Sequence, residues 1–239
     1  MTNNKDEQKN AAARYAIDDL VNRGLIRSNM KIGLGTGSTA MPAVTHLAER
    51  IKDGTLTGIR AVATSFQTTI ACEELGIPVF SMNAREIGGK LDLAIDGADE
   101  ISPAKHLIKG GGAALLLEKI VAYNAEVFVI VADESKAVDG LGTRFALPVE
   151  VIAEARTSVI AALTALGARV TLREGVRKAG PVITDNGNLI VDCLWQSTVD
   201  SARLEDAIDG IVGVVENGFF TKNVPVVYVA HADGSVERR

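Results

Sequence analysis

Four times before residue 140 a short apolar run breaks off at a cluster of small polar residues. Residues 30–34 stop at Gly-Thr-Gly-Ser, 59–63 at Thr64-Ser65, 91–95 at Asp96, and 127–132 at Asp133-Glu-Ser-Lys136. Helical spacing of apolar residues follows three of the runs, over 39–51, 67–75 and 113–124, and an amphipathic helix over 6–23 precedes the first. Strands alternating with helices need right-handed crossovers and therefore imply a parallel sheet. In such a sheet the turns leaving the carboxyl ends gather on one edge, where open α/β sheets bind their ligands. A short strand over 79–82 and a polar tail over 233–239, left frayed, complete this part of the reading.

The register changes at Leu147-Pro148. From there the order is strand (149–152), helix (154–166), strand (169–173), strands 182–184 and 189–193 around Asp185-Asn-Gly-Asn, helix (201–209) and strand (214–220), a split β-α-β-β-α-β arrangement. Asn186-Gly187 is the strongest hairpin signal, with both central positions expected at positive φ. The fold expected is α/β: a Rossmann-like parallel sheet flanked by helices, with a second, smaller α+β domain of ferredoxin-like or ACT-like type. The first domain is read as 1–146, with 221–239 returning to it, and the second as 147–220.

Composition narrows the function. Hydrophobic residues at 47% and charged residues at 23% suit a globular chain, and aromatics at only 4% suit small-residue packing of helices on a parallel sheet. A net charge of −5 argues against a general nucleic-acid or anionic-membrane surface. Two distant cysteines, Cys72 and Cys193, read as reduced thiols. No apolar run approaches the roughly 20 residues of a membrane span, and the expected location is the cytoplasm.

Four turns carry the chemistry. Gly33-Leu-Gly35-Thr-Gly37-Ser38-Thr39 imitates a dinucleotide fingerprint but has Ser38 where the third glycine belongs, and no Walker A pattern occurs. It is either a mount for one phosphate, through amides and the hydroxyls of Thr36, Ser38 and Thr39, or a strand-to-helix turn in which Ser38 or Thr39 is an ordinary cap. Asp96, Asp99 and Glu100 could do acid–base work, bind Mg²⁺ through oxygen alone, or only turn the chain. The three histidines are scattered, which disfavours a histidine-based metal centre. Lys109-Gly110-Gly111-Gly112 sets a cation beside bare backbone, fit to hold an oxyanion unless it is merely a flexible loop. Glu118 follows three leucines: inward it becomes a candidate base, outward an ordinary helix acid.

Taken together, GLGTGST, TSFQT, DGADE, KGGGAALLLEK and VADESK, with LPVEVI, TDNGN and GVVENGFF further on, resemble the ribose-5-phosphate isomerase family of the A type over nearly the whole chain. The resemblance implies a metal-independent aldose–ketose isomerase of the pentose phosphate pathway, without cofactor, acting as a homodimer or homotetramer on a sugar phosphate. It makes Glu118 the base between C1 and C2, gives Asp96 and Asp99 the sugar oxygens, and gives Lys109 with the glycine amides the enediolate. Thr36, Gly37, Ser38, Thr39, Gly97, Ala98, Gly110, Gly111, Gly112 and Lys136 match substrate-binding positions, and Lys9 is the lysine to test at the phosphate end. The rival readings are a sugar-phosphate-sensing regulatory domain, an amino-sugar-phosphate deaminase and a coenzyme A transferase, the last of which would need a glutamate nucleophile.

Overall fold

A computed structural model describes residues 4–239. The chain runs α1 (Asn4–Asn22), β1 (Lys31–Leu34), α2 (Met41–Lys52), β2 (Arg60–Ala63), α3 (Phe66–Leu75) and β3 (Leu91–Asp96). Next come β4 (Glu100–Ile101), β5 (Leu107–Ile108), α4 (Leu115–Tyr123), β6 (Ala125–Asp133), β7 (Leu147–Val151), α5 (Arg156–Ala165) and β8 (Arg169–Leu172). It closes with β9 (Leu189–Leu194), α6 (Ser201–Asp209), β10 (Val214–Asn217), β11 (Phe219–Phe220), β12 (Val226–Ala230) and β13 (Val236–Arg238). Among the described residues no helix is long and apolar enough to cross a membrane.

Contacts divide the chain into two units. The first holds residues up to Ala98, Leu117–Lys136 and Asn223–Arg239. Its six-stranded sheet has the order β13-β12-β6-β3-β1-β2, parallel except for β13. The central strands β3 and β6 are buried along most of their length, as strands covered on both faces must be, and this is why they read as unbroken apolar runs. Ala12, Ala13, Ala16, Ile17 and Leu20 of α1 join Val129, Val131 and Tyr228 in one core, the alanines allowing close approach of helix to sheet. Helix α3 starts where Ser65 Oγ accepts the Thr68 amide and ends at Gly76 in the left-handed region.

The second unit holds Asp99–Leu116 and Ala137–Lys222. Its larger sheet is antiparallel in the order β10-β7-β9-β8, the order of a split β-α-β-β-α-β arrangement with α5 and α6 as its helices. A smaller sheet, β11-β5-β4, lies in the same unit. Residues 99–116 and 137–146, grouped with the first domain on sequence, fall in the second unit: β5 pairs with β11 and with β4, and Ala137 bridges Ile101.

Several local expectations change. Residues 79–82 form no strand; Val79 alone bridges Ala61. Residues 182–184 form no strand, Ile183 alone bridging Leu189, and of the turn after them Gly187 alone has positive φ, because three residues, not two, separate Thr184 from Asn188, whose backbones hydrogen-bond. Buried Glu150 gathers that turn, its Oε1 accepting from Thr184 Oγ1, Asn186 Nδ2 and Asn188 Nδ2. The expected frayed tail contains β13, paired with β12.

Both thiols are free and buried, Cys72 in the first unit and Cys193 in the second. Burial pushes Cys72 up to about 11 and Cys193 up to about 12. The folded chain thus holds these protons more tightly than the unfolded chain, so their contribution to stability is whole below pH ~9 and is lost as pH rises through the folded values. The urea midpoint should fall between about pH 8 and about pH 10.5, and less steeply in a Cys72→Ala/Cys193→Ala variant. Parallel curves for the two proteins would contradict this assignment.

Candidate functional site

In the first unit the parallel pairing of β2, β1, β3 and β6 brings the turns after them to one edge of the sheet. Two glycines, one within β1 and one just after it, answer to packing. A Cβ on Gly33 would stand 2.2 Å from Val121 Cγ1 of α4, and one on Gly35 would stand 1.9 Å from Asp96 Oδ1. Gly33 therefore admits α4 against the sheet, and Gly35 makes room for the Asp96 carboxylate. Asp96, 4% exposed at the end of β3, accepts at Oδ1 from the amides of Thr36 (3.2 Å) and Gly97 (2.7 Å). Thr39 lies against Gly97, where an added Cβ would be 2.9 Å from Thr39 Cβ.

The Thr36 hydroxyl, expected as part of a phosphate mount, has partners within the chain. It joins a ring of hydroxyls with Thr64 Oγ1 (2.7 Å), Ser65 Oγ (2.7 Å) and Thr68 Oγ1 (3.2 Å), and Thr68 Oγ1 in turn donates to the Gly35 carbonyl (2.7 Å). The Gly37 amide donates to Gln67 Oε1 at 3.1 Å. The turn after β2 thus stitches down the turn after β1. Neither Ser38 nor Thr39 caps α2: the cap is Ala40, without a side-chain bond. Ser38 Oγ instead accepts from Lys9 Nζ at 3.0 Å, which brings a cation from α1 to the glycine turn.

Glu118 lies in the first turn of α4, 4% exposed, so it faces inward. Lys136, half-buried, ends the 3₁₀ turn Glu134–Lys136 after β6. Asp133 braces that turn by accepting from the Ser135 amide (3.0 Å) and hydroxyl. Gly97 and Ala98 are buried beside Asp96.

The second unit carries Asp99, Lys109 and the three glycines. Asp99 donates its amide to the Ile108 carbonyl (2.8 Å), and its Oδ2 accepts from the Gly111 amide (2.8 Å). Lys109, only 3% exposed, donates its amide to Gly218 (2.9 Å) and sets its ammonium 5.5 Å from the centre of the Phe220 ring. Gly110 is buried, whereas Gly111 and Gly112 are exposed. Glu100 separates from the other two acids: its buried carboxylate accepts from the Gly142 (3.3 Å) and Phe145 (2.8 Å) amides, and burial holds its pKa above the usual range. It anchors a loop. Among the described residues no three His, Cys, Asp or Glu side chains gather as a metal site.

Sequence reasoning missed Gln67, Lys9's partner Ser38, and the roles of Gly33 and Gly35. The glycines did announce close backbone approach, but not what approaches.

The chain matches the family described as ribose 5-phosphate isomerase A (phosphoriboisomerase A) over residues 60–234. A ribose-5-phosphate isomerase A from Treponema denticola is 59% identical over 231 residues, 96% of this chain and 97% of the relative. A solved D-ribose-5-phosphate isomerase in complex with phospho-erythronic acid superposes with a TM-score of 0.91 at 39% identity, covering 98% of each chain. The structure of ribose 5-phosphate isomerase A from Methanocaldococcus jannaschii gives 0.87 at 42% identity, over 97% of this chain and 98% of that one. With a fold, a set of turns and a sequence in common with these proteins along its length, this chain belongs to the ribose 5-phosphate isomerase A family.

Proposed function

We propose that the protein interconverts D-ribose 5-phosphate and D-ribulose 5-phosphate through an enediolate, with Glu118 as the base. The observation that carries this reading is the inward-facing carboxylate of Glu118 in a chain of this family. A relative of like fold binds phospho-erythronic acid, a four-carbon phosphorylated acid whose carboxylate resembles the charged end of an enediolate.

In the forward direction Glu118 takes the proton from C2 of the open-chain aldose. The C2–H electron pair becomes the C1–C2 double bond and the carbonyl pair moves onto O1, which gives the enediolate. The C2 hydroxyl passes its proton to O1, and as Glu118 returns its proton to C1 the C2 oxygen closes its carbonyl and the ketose results. Asp96 and Asp99 exchange the oxygen-bound protons, Asp99 held by the Gly111 amide, while Lys109 and the amides of Gly110 and Gly112 stabilise the negative oxygen. The phosphate end falls to Gly37, Ser38 and Thr39, with Lys9 and Lys136 as cations. Thr36 contributes through its backbone and the hydroxyl ring that fixes the turn.

A coupled assay for ribulose 5-phosphate formation tests the reading directly. No turnover, or a mass increase on incubation with acyl-coenzyme A, would turn it over in favour of a sensing domain or a transferase. Enzyme stripped with EDTA should keep full activity, and restoration of a lost activity by Mg²⁺ would overturn the acid–base assignment of the aspartates. The family resemblance also supports a cytoplasmic homodimer or homotetramer, which sizing at working concentration distinguishes from a monomer.

A further inference from the structure

The triple-glycine loop is held by a residue that nothing in its own stretch of sequence announces. Arg173 follows β8, and its guanidinium makes a two-toothed contact with Asp192 of β9, Nε to Oδ2 at 2.8 Å and Nη2 to Oδ1 at 2.5 Å. The remaining nitrogen, Nη1, donates to the carbonyls of both Gly110 and Gly111, each at 3.1 Å. The amide of Gly111 then donates to Asp99 Oδ2. All of these residues belong to the second unit.

We propose that Arg173, oriented by Asp192, is a positioning residue for the isomerisation: by fixing the Gly110 and Gly111 carbonyls it aims the Gly111 amide at Asp99. The proposal rests on the reading above, in which Asp99 acts on the sugar oxygens. Three adjacent residues without Cβ have wide backbone freedom, and Gly110 already sits at φ +99. Two hydrogen bonds from one planar donor remove that freedom on the carbonyl side of each peptide, where no side chain of the loop could. Lysine cannot substitute, because an ammonium lacks the rigid fork that serves Asp192 and two carbonyls together.

The test compares Arg173→Met, Arg173→Lys and Arg173→Ala in the parent and in an Asp99→Asn background. In the parent, Arg173→Met should lower kcat roughly 10- to 100-fold, the cost of a misplacement of about 1 Å, with KM changed less than about threefold. Arg173→Lys, which keeps a cation beside Asp192, should melt close to the parent and still lose kcat. Guanidinium ion should restore part of the kcat of Arg173→Ala. Because Arg173 aims the Gly111 amide at Asp99, the same replacements in Asp99→Asn should cost several-fold less than in the parent, the remainder coming through the Gly112 amide on the peptide whose carbonyl Arg173 also holds. Full kcat in Arg173→Lys, absence of rescue, or the whole loss repeated in the Asp99→Asn background would overturn the proposal while leaving the role of Asp99 intact. A fully active Asp99→Asn would overturn both.

Discussion

Glu118→Gln should lose about a thousandfold in kcat for ribose 5-phosphate, the middle of the range that a positioned general base supplies. That corresponds to about 4 kcal/mol of barrier. The amide matches the carboxylate in shape and cannot accept the carbon-bound proton, so the loss should fall on kcat while KM moves only a few-fold. Two controls separate this from damage to the fold. Glu118 sits in the first turn of α4, where a negative charge is worth about 0.3–1 kcal/mol to a helix, so the variant should melt only a few degrees below the parent. Ribose 5-phosphate should also still raise its melting temperature, since binding to the folded state stabilises it. Turnover near the parent rate would remove Glu118 from the chemistry.

How much of this could be read without the structure depends on the range of the interaction. Strand and helix positions in the parallel sheet were legible because burial on both faces writes itself as a continuous apolar run, as in residues 127–132 within β6. The split β-α-β-β-α-β order was legible from the succession of strand and helix patterns after Leu147, and the sheet order bears it out. Short pairings were not: β4 and β5 have two residues each, too few to show a period, and the pairing of β5 with β11 joins residues more than a hundred positions apart. At the site, residue types in a turn gave the chemistry, but their partners came from elsewhere in the chain. Thr36 fitted either a phosphate mount or an ordinary strand-to-helix turn, and nothing in its own stretch showed that Thr64, Ser65 and Thr68 from the next turn and helix would hydrogen-bond its hydroxyl. Glu118 carried no sign of its orientation, since an acid after three leucines fits either face of a helix. Arg173 likewise stands 62 residues from the Gly111 carbonyl it holds.

Gly35→Ala should be the most damaging single methyl group in the first unit. The backbone there is not left-handed, so alanine meets no conformational penalty. The cost is collision: the new Cβ would stand 1.9 Å from Asp96 Oδ1, 2.0 Å from Cγ and 2.6 Å from Cβ. Real Cβ atoms do not approach so closely, and β3 is held on both sides by β1 and β6, so the Asp96 side chain must swing away. Doing so breaks its bonds from the Thr36 and Gly97 amides and removes the carboxylate from where the sugar oxygens would meet it. The expected outcome is a loss of at least about a hundredfold in kcat. Overpacking should lower stability by about 1–3 kcal/mol at the same time. A compensating replacement separates the two effects. Adding Asp96→Ala removes the two nearest atoms but leaves Cβ at 2.6 Å, so the double variant should regain part of the lost stability and none of the activity. A Gly35→Ala enzyme with more than a tenth of the parent kcat would show that Asp96 need not stand where the glycine lets it stand, and a double variant no more stable than Gly35→Ala would show that the collision is not the source of the damage.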